Sequence, residues 1–256
     1  MHAVVTGASA GIGAAIARVL AAQGASVTLV ARRRDALESL ARELPTKTHV
    51  VVADLSDAAN ATSWLTEAEE ALGPTDILVN NAGMQIVSRT QLVDPEHAEK
   101  LMRLNVFTPF RLTRAVLPAM LKRDAGTIVD VSSLAGLAPT PGMYHYSASK
   151  AALGAASESL RGELRGTGVH VVTVYPGPVA TEMAHVALET YGPEHAKTAS
   201  RLPTGTPEEL ARLVAKAINK KEPRVVYPAV YNITRLFPGT TRWVMDRATP
   251  LPPEND

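Results

Sequence analysis

Tyr146 and Lys150 stand four residues apart in the run Tyr146-Ser147-Ala148-Ser149-Lys150, with Ser133 upstream. On a helix that spacing puts the phenol and the ammonium on one face, one turn apart. An unperturbed tyrosine has a pKa of about 10, too high for easy proton exchange near neutrality. A neighbouring positive charge favours the phenolate and lowers that value, which makes an acid–base group. Tyr-x-x-x-Lys is also a common amphipathic pair, so its meaning depends on what lies upstream.

Upstream, Gly7-Ala8-Ser9-Ala10-Gly11-Ile12-Gly13 separates a β-branched apolar stretch from an Ala-rich one. Glycines at a first strand–helix turn let the backbone turn tightly and approach a pyrophosphate, and the helix N-terminus adds free N–H groups and partial positive charge. The second apolar stretch ends Ala31-Arg32-Arg33-Arg34. A dinucleotide site for NAD(H) usually has an acidic residue there, accepting hydrogen bonds from the adenosine ribose. Arginines pair with a 2′-phosphate instead, so NADP(H) is favoured over NAD(H). Arg32 is the first candidate for that contact and Arg33 the second.

These residues need a scaffold, and the chain supplies an alternation of strands and helices. Strands are expected at 2–6, 26–30, 49–53, 76–80, 127–132, 169–174 and 224–227. Helices are expected at 12–22, 33–43 with Leu37, Leu40 and Leu44 on one side, and from an N-cap at Ser56 to Leu72. A long helical region at 96–121 reads as two helices meeting near Asn105. The Tyr146 helix follows a loop with Pro139, Pro141 and Gly142 and ends near Gly166. A mixed segment covers 181–199, and a helix with Pro207 in its first turn runs to Lys220. Continuous apolar strands between helices mark a parallel sheet covered on both faces. The expected α/β fold is doubly wound and seven-stranded, one domain over 1–256 with a helical tail at 228–256.

Bulk properties narrow the classes. The 256 residues are 46% hydrophobic and 20% charged, with net charge +1 and no cysteine. Near-neutral charge gives no case for nucleic acid. Absent cysteines exclude disulfides, thiol nucleophiles and cysteine-bearing metal sites. No metal is expected, because the histidines have no trusted ligand spacing. The N-terminus reads as a strand rather than a signal peptide, and no apolar run approaches the roughly 20 residues of a membrane span. A cytoplasmic protein is the expectation.

In one order, Thr6 to Gly13, Asp54-Leu55, Asn80-Asn81-Ala82-Gly83, Asn105, Ser133, Tyr146-x-x-x-Lys150 and Pro176-Gly177 line up. Over about residues 2 to 227 the chain resembles the short-chain dehydrogenase/reductase family, whose fold is of the Rossmann type. The resemblance implies a hydride transfer in which Ser133 hydrogen-bonds the substrate oxygen and Tyr146 is the general acid or base. Lys150 would bind the nicotinamide ribose and lower the Tyr146 pKa, and Asn105 would hold a relay water. The cofactor set implied is Gly7, Ser9, Gly11, Ile12, Gly13, Arg32, Arg33, Asp54, Leu55, Asn81, Ala82, Gly83, Tyr146, Lys150, Pro176, Gly177, Val179 and Thr181. Asp54 and Leu55 would flank the adenine; Thr181 would hold the carboxamide. Ser133 lies thirteen positions before Tyr146 (146 − 133), the family's spacing, so Ser132 is assigned a structural part. Ala10 departs from the basic residue many NADP enzymes carry there, which leaves the NADP reading on the arginine cluster.

A substrate wall is expected from Ser133, Leu134, Leu137, Met143, His145 and Tyr146, and from 179–201 with Met183, Val186, Leu188 and Tyr191. It suits a small hydrophobic ketone, aldehyde or alcohol. His145, His185 and His195 are candidate polar contacts. In the tail, Val230, Ile233, Leu236, Phe237, Trp243, Val244 and Met245 accompany Arg235, Arg242 and Arg247. Packing over the substrate segment or across a subunit boundary is the favoured reading, and contact with a membrane surface is the other. Ala151, Ala152, Gly154, Ala155 and Ala156 suit close helix contact, and the resemblance implies a homodimer or homotetramer. Besides a carbonyl reductase or alcohol dehydrogenase, a 3-oxoacyl-thioester reductase and a non-catalytic nicotinamide-binding regulator are alternatives. Arg103, Arg111 and Arg114 are the basic residues the thioester reading would use.

Overall fold

The computed structural model describes residues 1–57, 59–192 and 202–253. Seven strands form one parallel sheet: β1 (His2–Thr6), β2 (Ser26–Ala31), β3 (Thr48–Val52), β4 (Ile77–Asn80), β5 (Gly126–Val131), β6 (Val169–Pro176) and β7 (Arg224–Tyr227). Their order is β3-β2-β1-β4-β5-β6-β7. The chain winds outward from β1 one way, then crosses back to β4 and winds the other way. The carboxyl ends of β1 and β4 therefore splay their following loops apart, which is where such sheets bind ligands.

Helices cover both faces. They are α1 (Gly11–Ala22), α2 (Arg34–Glu43), α3 (Leu65–Leu72), α4 (Pro95–Met102), α5 (Thr108–Arg123), α6 (Tyr144–Glu163), α7 (Glu182–Tyr191) and α8 (Pro207–Lys220). Alternate residues of each strand feed two separate cores. Val5, Leu29, Val79, Val129 and Val172 pack with α1, α2 and α8, among them Leu20, Leu37 and Leu210. Val4, Leu78, Ile128 and Val171 pack with α3, α5 and α6 through Leu65, Leu112, Val116 and Leu164. Each fully buried side chain of this size contributes about 1.5–3 kcal/mol relative to exposure, so the inner strands are held from both sides.

The helix expected from Ser56 begins instead at Leu65. Asp54 Oδ1 takes both the Ser56 amide and hydroxyl, at 3.0 and 2.7 Å. Asp57 then accepts from the Ala59 amide and the Asn60 side chain, each at 3.0 Å. Side chains that bind nearby backbone offer an alternative to the helix ladder. The chain turns until Trp64 enters the core with its indole N–H on the Asn60 carbonyl at 3.1 Å.

Between α4 and α5 the helix widens into one π turn, Arg103–Phe107, with Asn105 fully buried inside it. The tail forms α9 (Asn232–Leu236) and α10 (Pro238–Ala248). Arg242 Nε donates to the Leu137 carbonyl at 3.0 Å, and Arg89 Nε to the Pro252 carbonyl at 3.1 Å. The tail is thus pinned against the loop that precedes α6. Its apolar side chains, Ile233, Leu236, Phe237 and Trp243 among them, stay exposed.

Candidate active site

The glycine loop is built for a close visitor. Gly7 and Gly11 take the left-handed conformation, φ 67° and 54°, which L side chains rarely adopt. A Cβ at Gly13 would fall 2.4 Å from the Gly7 carbonyl oxygen and from Asn81 Nδ2. Asn81 fastens this loop to the end of β4, donating to the Thr6 carbonyl at 2.9 Å. Thr6 Oγ1 receives the Asn81 and Ala82 amides, each at 3.0 Å. The start of α1 has no side-chain cap at Ala10. The Gly11, Ile12 and Gly13 amides are thus an anion-ready set, and the missing Cβ atoms at Gly7 and Gly13 let the loop fold tightly on itself and against Asn81 and Ala82. That fits a bound pyrophosphate.

Arg33 lies over this loop, its Nε and Nη2 each 3.3 Å from Ser9 Oγ and the Ser9 carbonyl. Arg32 is exposed and acts on Asp54 across the cleft. Partial burial pushes the Asp54 carboxyl up, but hydrogen bonds from Ser56 and the charges of Lys100 and Arg32 leave it lower than usual. Lys100 on α4, 3.5 Å from Asp54, was not among the expected residues. Leu55 is buried beside it.

Ser133, Tyr146 and Lys150 converge at the carboxyl end of β5. The Ser133 hydroxyl caps the short turn Leu134–Gly136, accepting the Ala135 amide at 3.1 Å, and also bonds the Tyr146 hydroxyl. That turn presses on α6 so closely that a Cβ at Gly136 would lie 2.8 Å from the Ala151 amide. Gly136 was not singled out from sequence; its signal emerges only when the turn and the helix are seen together. Ser132 is buried and donates to the Lys150 carbonyl at 2.7 Å. Gly154 faces Ser132 and the Tyr175 ring, so its missing side chain serves packing within the chain. Ala155 is exposed.

Lys150 is buried, and its Nζ donates to the Val131 carbonyl at 2.8 Å, 5.9 Å from the Tyr146 ring centroid. Desolvation lowers its pKa to about 8, against the opposing charge of Asp130. The expected lowering of Tyr146 by Lys150 does not hold in this geometry. Burial pushes the phenol up, and the group that eases it is Ser133. Lys150 is turned to a backbone carbonyl instead. Asn105 binds Met84 at both ends, Oδ1 to its amide and Nδ2 to its carbonyl, each at 2.9 Å, and Nδ2 also reaches Ser149 Oγ at 3.0 Å. A Cβ at Gly83 would sit 3.2 Å from Asn105 Oδ1 and 3.4 Å from Lys150 Nζ, so both groups meet at that corner.

Opposite, Val179 pairs with Gly205, and its side chain is in the core. Thr181 caps α7 through the Ala184 amide, and its methyl overhangs Gly11. Gly177 is enclosed by Leu134 and Tyr231, with Pro176 ending β6. Glu182 stands 3.9 Å from Arg33 across the cleft.

On the substrate side, Met143 receives Gln85 Nε2 at 3.4 Å, a partner not expected from sequence. The Tyr191 hydroxyl donates to the Pro141 carbonyl, and Pro252 fills the space beside Gly142. Met183 and Val186 are exposed, so they border an open mouth rather than wall a closed pocket. His185 is exposed and pairs with Glu189 at 3.4 Å; His145 stacks edge-on against Tyr144. His195 and the end of the expected wall at Arg201 lie outside the described residues. Among the described residues, no helix is long and apolar enough to cross a membrane, and no cluster of three metal-ligating side chains occurs.

Known proteins match this arrangement. The short chain dehydrogenase family profile covers residues 1–192. An uncharacterized oxidoreductase of Staphylococcus epidermidis is 39% identical over 181 residues, 71% of this chain and 79% of the relative. A serine dehydrogenase solved in complex with NADP+ superposes with TM-score 0.80 at 31% identity, covering 88% of this chain and 94% of that one. A short-chain dehydrogenase of Sphingobium yanoikuyae, solved in complex with NADPH, gives TM-score 0.79 at 28% identity over 96% and 95%.

Proposed function

Because the chain belongs to the short-chain dehydrogenase/reductase family, we propose that it is an NADP(H)-dependent oxidoreductase with Tyr146 as its general acid and base. Its substrate would be a small hydrophobic ketone, aldehyde or alcohol. The observation that carries this reading is the meeting of Ser133, Tyr146 and Lys150 beside the glycine cradle.

When bound, the nicotinamide supplies or accepts the hydride; the chain supplies orientation and a proton. The Gly11, Ile12 and Gly13 amides would hold the pyrophosphate, and Asp54, Leu55, Asn81, Ala82 and Gly83 the adenosine half. Pro176, Gly177, Val179 and Thr181 would border the nicotinamide. Arg32 and Arg33 would pair with a 2′-phosphate, Ser9 completing that corner. Two polar groups, the Ser133 and Tyr146 hydroxyls, face the substrate oxygen and stabilise charge developing there. In reduction Tyr146 gives that oxygen its proton, and in oxidation it takes one. Burial keeps the proton on Tyr146 at neutral pH, so the group is ready as a donor. Lys150, charged below about pH 8, would hold the ribose. Asn105, fixed by Met84 and Ser149 at the corner shared with Lys150, would border the path by which the proton returns. Leu134, Met143 and Met183 form the apolar side of the site.

A panel of ketones, aldehydes and secondary alcohols, offered with both cofactors and followed by absorbance of the reduced nicotinamide, tests the reading. NADPH-linked turnover of an apolar substrate is expected. No oxidation or reduction of any member would overturn it.

A further inference from the structure

The last described residues run Pro250-Leu251-Pro252-Pro253. The end of a chain is poorly ordered unless something ties it down. Leu251 is exposed, yet Pro252 beside it is buried. Proline fixes φ near −65°, so such a segment is ordered at small entropic cost, and an extended run leaves its carbonyls unpaired. Two contacts hold Pro252. Its carbonyl accepts from Arg89 Nε at 3.1 Å. Its ring atoms Cγ and Cδ lie 2.5 and 2.6 Å from where a Gly142 Cβ would be. Gly142 has φ 82°, which already favours glycine, and the proline ring occupies the side-chain space that glycine leaves.

Three segments meet at Gly142. From the loop after β4, the Ser88 amide donates to the Gly142 carbonyl at 2.9 Å, and Gln85 Nε2 reaches Met143 Sδ at 3.4 Å. From the end of α7, the buried Tyr191 bonds the Pro141 carbonyl, and its hydroxyl stands 3.2 Å from the same Gly142 position. The third segment is the loop before α6 itself. The Met143 carbonyl receives the Ser147 amide at 2.7 Å, so this loop runs straight into the first turn of the helix that carries Tyr146. Pro252 joins all three: it packs on Gly142, is held by Arg89 and shares the Gly142 position with Tyr191.

We propose that Pro252 is a specificity-determining residue, a clasp that keeps the walls of the substrate site close together and so selects small carbonyl or carbinol substrates over bulky ones. It acts through Gly142 and Met143 and is a positioning residue. The inference rests on the oxidoreductase reading given above. Met183 and Val186 border an open mouth, so size selection falls to the clasped side.

The test is Pro252→Ala, which removes the two ring atoms that press on Gly142 and keeps the carbonyl that Arg89 uses. Arg89→Met loosens the clasp from its other end and serves if the first variant does not fold. Leu251→Ala, an exposed neighbour in the same segment, is the control. The best small ketone of the panel is paired with its phenyl-substituted homologue. Preference for the small ketone, as a ratio of kcat/KM values, should fall by about tenfold, the amount one methylene of pocket space is worth. The change should lie in KM, with kcat for the small ketone held, as expected for lost binding rather than lost chemistry. NADPH affinity should stay within about twofold, because the contacts of Pro252 are with the substrate side. The Ser88 amide should exchange its hydrogen about tenfold faster or more as the loops part. An unchanged preference in both variants, or an equal change in Leu251→Ala, would overturn the proposal. Absence of turnover in every protein would instead sink the oxidoreductase reading. The Ser88 exchange rate would then still decide whether Pro252 holds the walls, and an unchanged rate would overturn the clasp.

Discussion

Tyr146 sits where its proton is held on, not drawn off. The spacing to Lys150 suggested a phenol made acidic by its neighbour, but helical spacing fixes only which face two side chains share. Where Nζ goes depends on β5, whose Val131 carbonyl claims it. The arginine cluster shows the same division. Its place after β2 was legible, whereas the seating of Arg33 on Ser9 needs the fold. Arg33 already has partners in Ser9 and Glu182, and Arg32 stands exposed beside Asp54. Arg32→Ala should therefore raise the KM for NADPH by roughly 10-fold or more while leaving that for NADH within a factor of two, since charge-assisted hydrogen bonds are worth about 1.5–3 kcal/mol. Arg33→Ala should do less. Steady-state kinetics with both cofactors checks the order, and equal losses for NADH would contradict a 2′-phosphate contact.

Among the elements, the turn between β1 and α1 has the least tolerance. Its glycines were readable because three of them stand between two apolar elements, a spacing that means a backbone brought close to something. Gly13→Ala would drive a methyl group into the Gly7 carbonyl and Asn81. Overpacking of this kind costs about 1–3 kcal/mol and here distorts the cradle itself. The variant should melt several degrees lower and lose NADPH binding, as seen by calorimetry and by titration of nicotinamide fluorescence. Gly24→Ala, with open space around it but φ at 91°, should lose stability without losing binding. The helix misjudged at Ser56 teaches the complementary point. Apolar periodicity predicts where a helix can lie, but Asp54 and Asp57 bond locally and delay it to Leu65. The junction near Asn105 was legible as a break, and its π geometry was not. Widened turns of this sort often occur at functional sites, and this one brings Asn105 to Met84 and the Gly83 corner.

Taken whole, the molecule is a sheet wound outward in both directions from β1 and β4, and its alternating pattern was readable because the inner strands send apolar side chains to both faces. Contacts that join distant parts were not. Arg89 to Pro252 and Arg242 to Leu137 link the tail to the substrate side through backbone carbonyls, which leave no pattern in sequence. His2 is another such link, buried between the Gly73 carbonyl at 2.7 Å and Thr28 at 2.8 Å. Burial lowers its pKa, as it does for His170. The unfolded chain takes up those protons near pH 6.5 while the folded one resists, so stability is full above that value and falls as pH drops below it. The Asp54 and Glu158 carboxylates, both lowered, add their losses only near pH 4 and below. Melting temperature should therefore already decline between pH 7 and pH 5, and His2→Asn should flatten that slope while lowering stability at pH 7.5. The most direct measurement of the central claim is made on Tyr146→Phe, comparing turnover of the best substrate with NADPH affinity. Loss of the single hydroxyl should cut kcat by at least about 1,000-fold, an amount in the range of a lost general acid, with NADPH affinity changed by less than about threefold. A variant that keeps most of its turnover would contradict the assignment of Tyr146 as the proton donor and acceptor.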